Sequence, residues 1–127
     1  MIQEVDFKTQ MNATVGEDIG FELGAKMVKD FQDQYPTENI GIQVGRNIIE
    51  SILAQPGCVG MKIYNAIDEN GNKTMVFVGL DEQGKHILEY NTVNQRGMLE
   101  KKDGIVADRV IIIKPGDPET PPPSNWW

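Results

Sequence analysis

Apolar residues recur every fourth position from Val15 to Tyr35, and Val59, Met61, Ile63 and Ile67 keep to alternate positions further on. This change of period constrains the fold more than any other feature of the chain. A spacing near 3.6 lines up apolar side chains on one face of a helix, and a spacing of two puts them on one face of a strand. The first part of the chain therefore reads as helical and the later part as sheet. Val15, Ile19, Leu23, Met27, Phe31 and Tyr35 predict an amphipathic helix of about five turns, opened by a capping box from Thr14 to Glu17 and stopped by Pro36. Gly16, Gly20 and Gly24 form a second row, read either as a weak helix start or as a surface that lets another backbone come close.

Ile40, Ile42 and Val44 alternate with Gly41, Gln43 and Gly45, which predicts a short extended segment. Ile48, Ile49, Ile52 and Leu53 return to helical spacing between Arg46 and Gln55, and Pro56-Gly57 ends that second helix. The strand from Val59 to Ile67 runs into the turn Asp68-Glu69-Asn70-Gly71-Asn72. Thr74 to Leu80 is apolar on both faces and should be central in its sheet. Asp81-Glu82-Gln83-Gly84-Lys85 is a second tight turn, and Ile87, Leu88 and Tyr90 make a third strand. Residues 91–104 read as a polar connection with a short helix near Met98-Leu99, and Ile105 to Ile113 as the last strand. The expected fold class is α+β, with two N-terminal helices packed on an antiparallel sheet of about four strands. Residues 1–114 form the expected domain, of which 1–13 is a loose arm, and 115–127 form a Pro-rich tail.

The 127 residues suffice for one core. Twelve Lys and Arg against 19 Asp and Glu give a net charge of −7. That balance argues against a nucleic-acid backbone or an anionic membrane as partner, since both require clustered cations. The amino terminus has no basic and apolar leader pattern, and no apolar run approaches a membrane span, so a cytoplasmic setting is expected. Cys58 is the one cysteine, which excludes an intramolecular disulfide and a Cys-based metal cage. The glycines spell neither G-x-G-x-x-G nor a P-loop, and no cofactor or metal is expected.

The residues that bear chemistry each admit two readings. The Asp68–Asn72 turn resembles a calcium loop, but the twelfth position of an EF-hand register is Gly79 rather than Glu, and acidic turns form for local reasons. His86, the single histidine, is a strand-edge residue or a general acid/base partnered by Asp81. Cys58 is a small buried hydrophobe or a thiol activated by a cation such as Lys62. Lys62 and Tyr64 share a strand face, and with Arg109 they line an anion pocket or simply face solvent. The candidate pocket is thus Cys58, Lys62, Tyr64, Asp81 and His86, around the Pro56–Tyr64 corner. The tail is the second candidate. Pro121, Pro122 and Pro123 favour polyproline II, and Trp126 and Trp127 carry a large apolar area, which together suit an interaction segment.

The run Leu53-Ala54-Gln55-Pro56-Gly57-Cys58-Val59-Gly60-Met61-Lys62-Ile63-Tyr64, followed by Val76 to Gly84, resembles a family of small uncharacterised proteins of Bacteroidetes-type bacteria. The resemblance spans roughly residues 14–124. Its Q-P-G-C-x-G segment is the more specific part and its V-G-x-D turn the weaker. Lys62 stands where that family often has Arg, and Thr120 and Ser124-Asn125 stand where its tail often has cysteines. The family has no established activity, so the resemblance implies a shared fold and a cytoplasmic setting but no reaction.

Two functions follow as expectations. The first is a non-enzymatic protein-interaction or assembly module that uses its sheet edge and Pro/Trp tail, with another protein or a second copy of itself (a homodimer) as partner. The alternative is a small-molecule-binding protein or enzyme with its pocket at the Pro56–Tyr64 corner.

Overall fold

A computed structural model describes residues 11–116 of the chain. They form two compact units, one built from residues 11–15 with Gly45–Arg109 and one from Gly16–Val44 with residues 110–116. Both helices and all seven strands fit the expected α+β class, and every strand pairing is antiparallel. The expected single sheet of about four strands is instead three small sheets.

In the first unit, helix α2 (Arg46–Leu53) leads into strand β2 (Gly60–Ile67), which pairs along its whole length with β3 (Lys73–Leu80). Strand β6 (Val106–Ala107) takes the other edge of β3, so the strand read as central is central. Ile52 of α2 and Phe77 of β3 are the largest fully buried side chains, joined in the core by Val78, Leu80, Ile87 and Ala107. Gln55, just past α2, is buried with them. Its amide donates to the Ile52 carbonyl at 3.0 Å and its carbonyl oxygen accepts from the Ile105 N–H at 2.8 Å, so both ends of a buried polar group are satisfied.

The remaining two strands of this unit, β4 (Glu89–Val93) and β5 (Leu99–Asp103), form a hairpin. They replace the polar connection and short helix expected over 91–104. The cause lies in the turn. Asn94 Oδ1 accepts from the N–H groups of Arg96 and Met98, and Gly97 has φ +76°. Asp68 and Asp81 build the same structure, each accepting from the second and fourth N–H that follow it, with Gly71 and Gly84 at positive φ.

The second unit contains helix α1 (Phe21–Gln34) and a two-stranded ribbon of β1 (Gly41–Gln43) and β7 (Ile111–Ile113). The capping box does not start α1. Thr14 N–H and Oγ1 bind Asn12 Oδ1 instead, Gly16 and Gly20 take φ of +116° and +80°, and the helix begins after Gly20, whose N–H donates to Asp18 Oδ1. The two left-handed glycines break the first turns of the expected helix. The far end agrees with expectation, since Tyr35 before Pro36 leaves helical geometry.

The expected last strand is also divided. Arg109 is the one non-glycine residue with positive φ among the described residues, at +70°. The break there assigns Val106–Ala107 to β3 and Ile111–Ile113 to β1.

Candidate functional site

Antiparallel pairing places Gly60, Lys62 and Tyr64 of β2 on one face with Leu80, Val78 and Val76 of β3. His86 reaches that face after the Asp81 turn, where it bridges Leu80. Tyr64 Oη and His86 Nε2 share a hydrogen bond of 2.7 Å, and Lys62 Nζ lies 5.2 Å from the Tyr64 ring centroid. Three of the five candidate pocket residues are therefore neighbours with exposed side chains, on a face whose Val78 and Leu80 are buried. A hydroxyl, an imidazole and an ammonium in this arrangement offer hydrogen bonds to an anion and a path for one proton.

The other two residues do not join them. Asp81 Oδ1 takes both the Gln83 and Lys85 N–H groups at 2.9 Å, so that oxygen holds its own turn while His86 bonds Tyr64. Cys58 is half-buried, and its Sγ donates to the Gly60 carbonyl at 3.2 Å. A Cβ built on Gly79 would lie 3.2 Å from that Sγ, 3.3 Å from Ile52 Cγ2 and 2.8 Å from Gln55 Nε2. Gly79 pairs with Met61 and so shares the face opposite Lys62 and Tyr64. The thiol thus lies on the α2 side of the sheet, away from the Tyr64–His86 pair.

Arg109, read from the sequence as a companion of Lys62, is committed elsewhere. Its guanidinium grips Glu69 through both nitrogens, one of the bonds at 3.0 Å, and reaches Asp108 Oδ2 at 3.1 Å. Thr74 Oγ1 donates to the other oxygen of Asp108 at 2.6 Å. Ile67, Asp68, Glu69, Val106, Asp108 and Arg109 line an open cleft of about 380 Å³ at this end of the β2–β3 hairpin. The Arg109 hydrogen bond, followed by a backbone N–H, holds the Glu69 carboxyl below its ordinary range. The Thr74 hydroxyl and then the Arg109 backbone N–H do the same for Asp108, and Glu69 in turn raises the Arg109 guanidinium. With two carboxylates already on it, the guanidinium is poorly placed to receive an external anion. Sequence reasoning did not find this cluster, because its members come from a turn, a strand and a loop far apart in the chain.

Asp68 Oδ1 is bound by the Asn70 and Asn72 N–H groups at 2.9 Å, which accounts for the calcium-like pattern as turn chemistry. Among the described residues, no group of three or more His, Cys, Asp or Glu is arranged to hold a metal ion. No helix among them is long and apolar enough to cross a membrane.

An exposed apolar row lies on α1. Its row Leu23, Met27 and Phe31 retains 48%, 54% and 41% exposure, and Ile19 before it and Tyr35 after it are also exposed. The buried residue of this helix is Ala25, on a different face. Leu23, Met27 and Phe31 of the amphipathic row predicted from the sequence thus lie on α1 with exposed side chains. A smaller apolar cluster lies at the β4–β5 tip, where Val93 faces Leu99 across the ladder with Met98 beside them, all exposed. The candidate tail residues Pro121, Pro122, Pro123, Trp126 and Trp127 lie outside the described residues. No protein-family model, curated protein or solved structure matches the chain.

Proposed function

We propose that this protein is a non-enzymatic interaction or assembly module. One observation carries the reading: α1 has a row of large apolar side chains, Leu23, Met27 and Phe31, and all three are exposed. Scattered exposed apolar residues are ordinary, but a contiguous apolar face on an acidic chain marks a surface kept for a partner. The open edges of the β1–β7 and β4–β5 ribbons offer further backbone groups for strand addition. The Pro-rich segment ending in Trp126-Trp127 supports the same reading from sequence alone.

Two measurements on a Leu23→Ser/Met27→Ser/Phe31→Ser variant test this. Surface residues held for a partner cost little when truncated, roughly 0.5 kcal/mol or less each. A row that packed within the chain would cost about 2–5 kcal/mol for each large side chain removed. The expected outcome is near-unchanged urea unfolding together with loss of whatever association the wild type shows in sedimentation and affinity retention. A variant that unfolds early, or that retains all wild-type associations, contradicts the reading.

A second reading rests on the Tyr64–His86 hydrogen bond with Lys62 alongside. It makes the exposed side chains of Lys62, Tyr64 and His86 a binding site for a small anionic ligand near the Pro56–Tyr64 corner. Titration with small carboxylates and inorganic phosphate, followed through the His86 ring resonances, tests it. Resonances that do not move on titration with either probe set this reading aside.

A further inference from the structure

The Tyr64–His86 pair changes what it offers when its imidazole gains a proton. Tyr64 Oη and His86 Nε2 share one hydrogen bond of 2.7 Å. With a neutral imidazole the pair has two donors, the phenol O–H and one ring N–H, and one of them is spent inside the pair. In an imidazolium both ring nitrogens donate. Nε2–H must then donate to Oη, which leaves the Tyr64 O–H and the His86 Nδ1–H for an outside acceptor. One proton thus raises the outward donors from one to two and adds a positive charge.

We propose that Lys62, Tyr64 and His86 bind a tetrahedral dianion, a phosphate or sulfate group, and do so chiefly when His86 is protonated. This rests on the anionic-ligand reading of the same three residues and adds the class of ligand and its control by pH.

The surroundings favour such a ligand. Lys62 Nζ lies 5.2 Å from the Tyr64 ring centroid, which sets an ammonium beside the pair. Among the described residues no carboxylate forms an ion pair with Lys62. Ammonium and imidazolium together match two negative charges, and donors from three side chains suit an anion with more oxygens than a carboxylate has. On β3 the same face presents Val78 and Leu80, both buried. Met11 borders it: a Cβ on Gly60 would collide with Met11 Cε, and one on Gly84 would lie 3.8 Å from Met11 Cβ. An apolar border of this kind strengthens attraction between charges. The other charged groups next to His86 belong to the turn before it. Glu82 and Lys85 cancel in charge, and Asp81 Oδ1 accepts from the Gln83 and Lys85 N–H groups of its own turn.

His86 is the single histidine, so its ring resonances report on this place alone. Sulfate is a dianion throughout the range in which imidazoles titrate, so a pH dependence of its binding belongs to the protein. The full chain is titrated with sodium sulfate, beside sodium chloride of equal ionic strength, at about pH 5.5 and about pH 8. The expected result is a saturable shift of the His86 resonances at the lower pH and several-fold weaker binding at the higher. By linkage, sulfate should raise the pH midpoint of His86 in the same proportion, by about one pH unit for a tenfold ratio of affinities. Tyr64→Phe keeps the ring beside Lys62 but loses the hydroxyl, and should weaken binding several-fold at the lower pH. Equal binding at the two pH values, or a Tyr64→Phe chain that binds as the wild type does, overturns the proposal and leaves the anionic-ligand reading standing. Resonances that never saturate with sulfate, or that move equally with chloride, overturn both.

Discussion

Gly79 gives the sharpest test of how the first unit is packed. It lies in the central strand β3 where the end of α2 comes down on the sheet. A Cβ there would sit 2.8 Å from Gln55 Nε2, 3.2 Å from Cys58 Sγ and 3.3 Å from Ile52 Cγ2. Two of these neighbours cannot yield easily. Ile52 has 0% exposure, and Gln55 is tied at both ends, to Ile52 and to Ile105. Overpacking of a tight core costs about 1–3 kcal/mol. Replacing Gly by Ala where the backbone accepts it returns roughly 0.4–1 kcal/mol by narrowing the unfolded ensemble. Gly79→Ala should therefore destabilise by about 1–2 kcal/mol, read as a lower urea midpoint at constant slope. Gln55→Ala by itself strips the Ile105 N–H of its acceptor and should cost about 1–3 kcal/mol. It also opens the space that a methyl at position 79 needs. The double variant should then be more stable than the sum of the singles implies, by at least about 0.5 kcal/mol, the lower end of measured coupling between neighbours. A Gly79→Ala cost near zero, or strict additivity with Gln55→Ala, would refute this picture of the α2–β3 contact.

Further expectations concern the two polar clusters. Arg109→Gly and Arg109→Ala both lose the Glu69 and Asp108 ion pairs, but Ala keeps the left-handed backbone cost, so the Gly variant should be the more stable by about 1 kcal/mol. Equal midpoints in urea would mean that residue 109 is not left-handed in solution. Glu69 and Asp108 titrate below their ordinary values of 4.5 and 3.8 when folded, so the stability they contribute is present above those values and disappears as pH falls through the folded ones. Thermal unfolding should therefore soften on acidification below about pH 4, and less steeply in Glu69→Gln; identical profiles would contradict the assignment. Cys58, half-buried with its thiol on the Gly60 carbonyl, should react slowly with a thiol reagent in the native protein and fully in denaturant. Rapid native labelling would place the thiol on the surface.

Much of the local structure was legible because its causes are local. The alternation from Val59 to Ile67, the two-faced apolar run before Leu80 and the turns at Asp68 and Asp81 all fold as the sequence implies. The third turn was legible in principle. Asp68, Asp81 and Asn94 are spaced 81 − 68 = 13 and 94 − 81 = 13, each with Gly three residues later. The Met98-Leu99 pair hid it by resembling a helical turn. The break at Arg109 could not be seen, since Ile105 to Ile113 contains neither Gly nor Pro. It follows from distant partners, as Thr74 and Glu69 hold Asp108 and Arg109 from another hairpin. The burial of Gln55 is tertiary in the same sense.

The candidate site divided along the same line. Lys62 and Tyr64 were legible as neighbours because strand periodicity fixes their face. That His86 would bond Tyr64 while Asp81 held its own turn depends on the register after the turn, which no local pattern encodes. The apolar row on α1 was plain in the sequence, but such a row looks identical whether it will be buried or displayed. Only the structure shows Leu23, Met27 and Phe31 exposed.

Sedimentation velocity of the full chain across micromolar to submillimolar concentration, beside Met27→Glu, tests the central claim most directly. Self-association through the exposed α1 row, one form of the interaction-module reading, predicts a wild type that shifts from the 14.2 kDa monomer towards twice that mass as concentration rises, and a variant that stays monomeric with unchanged urea unfolding. A wild type that remains monomeric throughout, or a Met27→Glu chain that assembles as the wild type does, would contradict it.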